Sequence, residues 1–184
     1  MNKILIVVDD QNGFVRYEQT KSVAEKIKSL VDKKLFDCVI ATRFINTPNS
    51  QYVKFIGWNR LTSSPDIDLI DGLTADYVVD KNVYTCVTDE FLSLLTKING
   101  GELPKHVFIA GIDTDCCVLK TSVDLFEHFV MPIVLTNYCN SNGGDISHNA
   151  GIEVMSRNLG KKCLVSGEIS SACELDKIID ERKF

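Results

Sequence analysis

Three short apolar runs of this sequence end beside side chains that can do chemistry. Asp9 and Lys81 each close a run rich in valine or isoleucine, and Cys117 follows a third run. A thiolate is a nucleophile, a carboxylate can move protons, and an ammonium balances negative charge, so the three types together are typical of covalent catalysis. They predict an enzyme, provided that the fold brings them into one cavity.

Cys117 lies where a strand should end and a helix should begin. An apolar run precedes it, and the pattern over residues 118–129 is that of an amphipathic helix. The positive field of a helix start lowers the pKa of a thiol, and Asp115 or Thr114 could cap this helix. The structural alternative is that Cys116 and Cys117 are small buried residues at a tight junction.

Asp9 and Lys81 are the candidates for acid–base chemistry. A carboxylate at the end of a buried strand is partly desolvated, which suits Asp9 to take up and release a proton. Lys81 could keep Asp9 ionised, or balance the charge on a thiolate and on a developing oxyanion. The structural alternatives are a turn-capping aspartate and a solvated lysine. Asp10 should point to the opposite side of the strand from Asp9, which favours a structural role.

The apolar runs are short and nearly unbroken, as parallel strands buried on both faces are. They cover about 3–9, 37–42, 76–80, 106–111, 132–136 and 162–166, and helical patterns alternate with them. This alternation predicts an α/β fold: a Rossmann-like three-layer α/β/α arrangement with a six-stranded parallel sheet in the order 3-2-1-4-5-6. In that order the first and fourth strands flank the switch point, so Asp9 and Cys117 should be neighbours, with Lys81 reaching in from the third strand.

The chain of 184 residues fits a single domain, 1–184, with one interruption of the strand–helix rhythm. Residues 44–75 hold Asn, Pro, Ser and Gly with scattered aromatics. A segment of this length is usually functional. We interpret it as a lid or an oligomer-forming excursion.

Composition excludes several classes of function. The net charge of −5 without a basic patch argues against nucleic acid or an anionic membrane as partner. No apolar run reaches the roughly 18 residues of a membrane span, and no signal peptide is evident. The seven cysteines show no metal-ligand spacing and suit a reducing cytoplasm. Neither the glycines nor the three histidines form a phosphate or zinc motif, so we predict no cofactor and no metal.

Three motifs in this order give the chain a family likeness. They are residues 8–14, residues 80–84 with Phe91 downstream, and residues 111–118. With them, roughly residues 3–166 resemble the isochorismatase-like cysteine hydrolase superfamily. That superfamily includes nicotinamidases, N-carbamoylsarcosine amidase and ureidoacrylate or biuret hydrolases.

The resemblance implies a catalytic triad of Asp9, Lys81 and Cys117. Cys117 is the cysteine directly before the valine of Thr-Asp-x-Cys-Val, and Cys116 stands at the variable position. The resemblance also implies a cis peptide before Asp113, and an oxyanion hole made by the backbone N–H groups of Asp113 and Cys117. A small apolar residue is usual where Asp113 stands, and a carboxylate there opposes an oxyanion unless it points away.

A second departure concerns metal. Nicotinamidases carry an Asp-x-His metal site after the second strand, and here Phe44 and Asn46 stand at those positions. The chain therefore resembles a metal-free branch, and nicotinamide is disfavoured as its substrate. Isochorismatases proper cleave a vinyl ether without a cysteine nucleophile, so Cys117 favours an amide or ureido bond.

The resulting prediction is a cysteine hydrolase that cleaves a C–N bond of a small amide, ureido or carbamoyl compound through a thioester. Phe14, Trp58 and Tyr84 are predicted pocket walls. A homo-oligomer, dimer or larger, is expected from the resemblance. The alternatives are an isochorismatase-type hydrolase of a non-amide substrate, a non-catalytic binding protein, and a redox sensor that uses Cys116 with Cys117.

Overall fold

The computed structural model describes residues 2–182, in which strands alternate with α-helices. The strands are β1 (Ile4–Val8), β2 (Cys38–Phe44), β3 (Tyr77–Lys81), β4 (His106–Ile112), β5 (Met131–Asn140) and β6 (Leu164–Val165). The helices are α1 (Glu18–Asp32), α2 (Gln51–Ile56), α3 (Asp89–Ile98), α4 (Leu119–Glu127), α5 (Gly144–Leu159) and α6 (Ala172–Asp180). None of the helices in this described part is long and apolar enough to cross a bilayer.

The strands form one parallel sheet in the order β3-β2-β1-β4-β5-β6. Strand β1 is central, because Ile6 pairs with Ile40 of β2 on one side and with Ile109 of β4 on the other. All of β1 is buried. Since the winding of the chain reverses between β1 and β4, the carboxyl ends of these two strands frame a crevice.

Alternate residues of β1 pack into separate hydrophobic cores on the two faces of the sheet. Ile4, Ile6 and Val8 belong to a core that includes residues of α3, α4 and α5. Leu5 and Val7 belong to another, which includes residues of α1 and α6. These two helical layers around a parallel sheet confirm the predicted three-layer α/β/α fold and its strand order.

Strand boundaries differ from the predicted ones mainly at the carboxyl ends. Strand β2 continues to Phe44 instead of residue 42, which places Phe44 beside Lys81 of β3. Strand β5 continues to Asn140 instead of residue 136, past a register irregularity in its pairing with β4. Strand β6 is shorter than predicted, because this edge strand pairs with only two residues of β5.

The segment 44–75 folds back over the carboxyl edge of the sheet. Phe44, Tyr52 and Leu61 form a small buried core of its own. The Gln11 side chain holds the segment in place: its amide NH₂ donates to the carbonyls of Phe44 and Ile67, and its oxygen accepts from the Phe44 N–H. A role for this segment as a lid or an oligomer contact stays a prediction.

Candidate active site

Asp9, Lys81 and Cys117 meet at the carboxyl edge of the sheet. The Lys81 Nζ lies 2.6 Å from Asp9 Oδ2 and 3.4 Å from Cys117 Sγ. All three are buried, with Asp9 fully enclosed. The structure therefore brings together the three side chains that sequence reasoning placed on separate strand ends.

Thr42 on the neighbouring strand β2 fixes the Asp9 carboxylate. Its hydroxyl donates to Asp9 Oδ1 at 2.6 Å, and the Asp9 backbone N–H donates to the same hydroxyl at 3.1 Å. Asp9 has a positive φ of 52°, so the chain turns sharply there as it leaves β1. Sequence reasoning missed Thr42, which reads as an ordinary strand residue and is adjacent to Asp9 only through the sheet.

Lys81 reaches Asp9 across the end of β2. Its ammonium also donates to the backbone carbonyls of Val83 and Tyr84, at 3.1 and 3.0 Å, and lies 5.2 Å from the centre of the Phe44 ring. Burial is the largest single influence and opposes the charge, but the Asp9 carboxylate and the nearby Cys117 together outweigh it, so the pKa of Lys81 lies above its usual value. Lys81 thus remains an ammonium near neutral pH.

Cys117 does not have the lowered pKa that its position suggested. It lies in a π-helical turn, Thr114–Val118, that leads into α4. Burial raises the pKa of its thiol well above the usual value, the nearby Asp9 adds to the effect, and Lys81 opposes it. Desolvation and the Asp9 carboxylate therefore raise the pKa of Cys117 by more than the field of the helix start lowers it. In its resting form Cys117 is a neutral thiol that needs a base.

Ser141 and helix α5 contact the turn that carries Cys117. The Ser141 hydroxyl donates to Asp115 Oδ1 at 2.6 Å, and Thr114 Oγ1 lies 2.8 Å from His148 Nδ1. The expected helix caps are thus wrong, because Asp115 and Thr114 bind these neighbours instead. Helix α5 packs so closely that a Cβ on Gly151 would come within 2.8 Å of the Asp115 Cα. His148 thus contacts the turn and is not among the described residues that line the cavity.

Cys116 presents a different kind of thiol. It is partly exposed and lines the same cavity as Cys117, and neither is in a disulfide. Burial, followed by the carboxylates of Asp115 and Asp113, raises the pKa of Cys116 to about 12. Among residues 2–182 no cation contacts Cys116, so it lacks the compensation that Lys81 gives to Cys117.

Asp113 follows a cis peptide bond with Ile112, as the resemblance implied. Its Oδ1 accepts hydrogen bonds from both the backbone N–H and the side-chain NH₂ of Asn142, at 2.7 and 2.8 Å. Burial raises the pKa of Asp113 to about 6, against the lowering effect of the two bonds from Asn142. The carboxylate is therefore held towards the loop between β5 and α5. Sequence reasoning did not identify Asn142.

A cavity of about 390 Å³ opens onto Cys117, which is a size suited to a small molecule. Phe14, Trp58 and Tyr84 all line it, and Phe44 and Tyr52 complete an aromatic wall. Phe14 and Trp58 stack, with ring centres 6.1 Å apart and planes 13° from parallel. The three predicted wall residues thus border the cavity, and their contact with a substrate stays a prediction.

The two positions where the resemblance locates metal ligands do not fit a metal ion. The Phe44 ring packs edge-on against Tyr52 and Trp58. The Asn46 amide donates to the Trp58 carbonyl, and its oxygen accepts from the Ser50 hydroxyl. Neither position offers a carboxylate or an imidazole.

The fold and site together define an α/β protein with a buried cysteine, carboxylate and ammonium at the switch point of a parallel sheet. The isochorismatase domain model matches residues 3–165. The chain belongs to the isochorismatase family and is a hydrolase of that family.

Solved structures of similar fold include three hydrolases. An isochorismatase-like hydrolase from Alkaliphilus metalliredigens is 16% identical, with a TM-score of 0.73 over 96% of this chain and 98% of that one. N-carbamoylsarcosine amidase from Thermoplasma acidophilum is 20% identical, with a TM-score of 0.68 over 87% and 94%. Nicotinamidase from Bacillus subtilis is 18% identical, with a TM-score of 0.70 over 87% and 97%. No curated protein matched the sequence.

Proposed function

We propose that this protein is a cysteine hydrolase that cleaves a C–N bond of a small amide, ureido or carbamoyl compound through a thioester. The observation that carries the proposal is the position of Lys81, whose ammonium contacts both the Asp9 carboxylate and the Cys117 sulfur inside a buried site. A buried, compensated cluster of this kind beside a cavity is typical of catalytic centres.

In the first step, Asp9 takes the proton of the Cys117 thiol as its sulfur attacks the substrate carbonyl carbon. The raised pKa of Cys117 makes a free thiolate costly, so proton transfer and attack are coupled. The carbonyl π electrons move to the oxygen, and the backbone N–H groups of Asp113 and Cys117 stabilise that oxyanion. Lys81 stays charged throughout and offsets the negative charge that passes from carboxylate to sulfur.

Collapse of this intermediate breaks the C–N bond. The leaving nitrogen takes the proton that Asp9 received, and the acyl group remains on Cys117 as a thioester. Asp9 then removes a proton from water, which attacks the thioester carbonyl. The C–S bond breaks, the product leaves as an acid, and the proton on Asp9 returns to the sulfur. The same carboxylate thus acts in both halves of the reaction.

We propose that no metal takes part in this site. Phe44 and Asn46 fill the positions where the resemblance locates an Asp-x-His site, and the Asn46 amide is already bound to Trp58 and Ser50. The cysteine mechanism above uses only groups of this chain.

The surroundings of the site support the size of the proposed substrate, a cytoplasmic setting and a homo-oligomer. A cavity of about 390 Å³ suits a small molecule. The free cysteines suit the cytoplasm. Phe55 and Ile56, on α2 beside the cavity, are 82% and 67% exposed, which supports burial against another copy in a homo-oligomer.

Turnover of a panel of small amides, ureido acids and carbamoyl compounds tests this proposal. Cys117→Ala should abolish turnover, because it removes the sulfur that Lys81 and Asp9 assist in the attack. Cys116→Ala is the matched control and should keep most of it. Mass spectrometry of the wild type mixed with a substrate should detect an acyl adduct on Cys117. Full activity in Cys117→Ala would overturn the proposed cysteine mechanism, whereas a wild type inactive on the whole panel would favour the alternative, a hydrolase of a non-amide substrate.

A further inference from the structure

The cavity has two ends of different polarity. At its buried end lie Cys117 and Asp113, the only carboxylate among the described residues that line it. At its exposed side are two arginines, Arg16 and Arg60. The mechanism described above uses neither arginine.

The two arginines stand at the same sequence offset from the two aromatic residues that stack at the cavity. Arg16 comes two residues after Phe14, and Arg60 comes two residues after Trp58. Phe14 and Trp58 are the pair that stack on each other. The stacked rings therefore join two separate segments, one after β1 and one from residues 44–75, and both segments contribute an arginine to the cavity lining.

Neither guanidinium has a hydrogen bond or ion pair with another residue in the described part of the chain. By contrast, the Arg43 guanidinium donates two hydrogen bonds to Asp80, at 2.7 and 2.9 Å. Arg182 donates to the carbonyl of Ile178. The cavity thus holds two unused guanidiniums in a chain whose net charge is −5.

Two arginines that line a cavity and have no partner among the described residues are suited to bind a carboxylate of a ligand. A guanidinium is planar and presents its donors as a fork that matches the two oxygens of a carboxylate. Two of them beside low-dielectric aromatic walls concentrate positive potential, which attracts an anion even to a protein of negative net charge. The Asp113 carboxylate, held by Asn142, makes the buried end unsuitable for that anion.

We propose that Arg16 and Arg60 form a subsite for a carboxylate of the substrate. The substrate class is then a small amide or carbamoyl compound with a carboxylate at the end away from the scissile carbonyl. The stacked Phe14 and Trp58 border the part of the molecule in between. This inference rests on the proposed function, because it takes Cys117 as the atom that attacks.

Alkylation of Cys117 by two reagents with the same reactive group tests the subsite. The reagents are N-phenyliodoacetamide and 4-(iodoacetamido)benzoate, which differ only in a carboxylate at the far end of a flat spacer. The rate at Cys117 is followed by peptide mass spectrometry, in a Cys173→Ser background that removes the exposed thiol. In the wild-type site the carboxylate reagent should react faster. A reagent with trimethylammonium in place of the carboxylate should react more slowly than either.

The double variant Arg16→Gln/Arg60→Gln should reduce the preference for the carboxylate reagent by roughly fivefold or more, since both forks are lost. Arg157→Gln is the matched control, because Arg157 is exposed on α5 and does not line the cavity. Like each substitution of the double variant, Arg157→Gln removes one positive charge. It should leave the preference for the carboxylate reagent unchanged. Circular dichroism of each variant confirms that the fold is kept.

The two possible failures are distinguishable. If Cys117 reacts with neutral iodoacetamide no faster than the enclosed Cys139 does, the proposed function itself is wrong. If Cys117 reacts readily but the double variant keeps the wild-type preference, or the wild type shows none, only the carboxylate subsite is overturned.

Discussion

Asp9 and Asp10 are neighbours in the sequence, both are fully buried, and their surroundings are opposite. Asp9 has the Lys81 ammonium at 2.6 Å on one oxygen and the Thr42 hydroxyl at 2.6 Å on the other. The side-chain oxygens of Asp10 have no hydrogen-bond partner among the described residues. Burial, with a smaller effect from Glu25, raises the pKa of Asp10 to about 7.

These two aspartates show that burial alone does not make a carboxylate useful to the proposed reaction. A buried carboxyl group without partners is more stable in its neutral, protonated form. Its pKa is therefore raised, as in Asp10. A buried carboxylate with a cation beside it can exchange protons with a nearby group, because its charged form is stabilised. On this view, Lys81 is what makes Asp9 a candidate base and leaves Asp10 a core residue.

Removal of the Lys81 cation should have the largest effect on Asp9. Lys81→Met keeps the length of the side chain but leaves Asp9 buried without its charge partner. We expect a loss of about 3–5 kcal/mol in the free energy of unfolding, as for other broken buried pairs. The alkylation rate of Cys117 should fall as well, since the sulfur also loses its contact with the ammonium. Urea denaturation and peptide mass spectrometry measure the two effects.

The double variant Asp9→Asn/Lys81→Met is the control for this prediction. It removes both charges, so part of the lost stability should return while the reactivity of Cys117 stays low. A Lys81→Met protein as stable as the wild type would contradict the view that Asp9 depends on Lys81.

Substitution of Asp10 should increase the free energy of unfolding near neutral pH, whereas substitution of Lys81 should decrease it. The Asp10 pKa of about 7 in the folded protein lies above the ordinary value of 3.8, so the unfolded chain gives up this proton first as the pH rises. The contribution of Asp10 to stability is therefore fully present below about pH 4. It is lost by up to about 1.4 kcal/mol per pH unit as the pH rises towards 7.

Asp10→Asn replaces the carboxyl with a neutral group of similar shape and should remove this dependence. We expect the variant to be more stable than the wild type above pH 7, with the advantage shrinking towards pH 4. Urea denaturation of both proteins at several pH values measures the difference, in which the other titrating groups largely cancel. A difference that stays constant with pH would show that Asp10 does not bind a proton on folding.

The sheet could be predicted from the sequence because its signal is local. Each of the buried strands carries an unbroken apolar run, and alternation with helical patterns leaves few possible topologies. The ends of strands were less predictable: the extension of β2 to Phe44 depends on pairing with β3, which lies far along the chain. The meeting of Asp9, Lys81 and Cys117 at one edge of the sheet was predictable for the same reason as the sheet, since each stands at the end of a strand or shortly after it.

What sequence reasoning missed at the site depends on contacts between distant segments. The sequence shows that Cys117 starts a helix, but the depth of its burial, which decides the direction of its pKa shift, is a property of the fold. The bond from Asn142 to Asp113 joins residues 29 positions apart. Thr42 and Asp9 are separated by 33 positions and meet only because β1 and β2 are adjacent.

Thr42 offers the finest test of the comparison between the two aspartates, because it removes one partner of Asp9 and leaves the cation in place. Thr42→Val keeps the shape of the side chain but deletes the hydroxyl that donates to Asp9 Oδ1. A hydrogen bond to a charged group contributes about 1.5–3 kcal/mol, so we expect a smaller loss of stability than for Lys81→Met. Thr42→Ser retains the hydroxyl and should recover most of that loss. If Thr42→Val and Thr42→Ser behave alike in urea denaturation and in Cys117 alkylation, then Lys81 alone distinguishes Asp9 from Asp10.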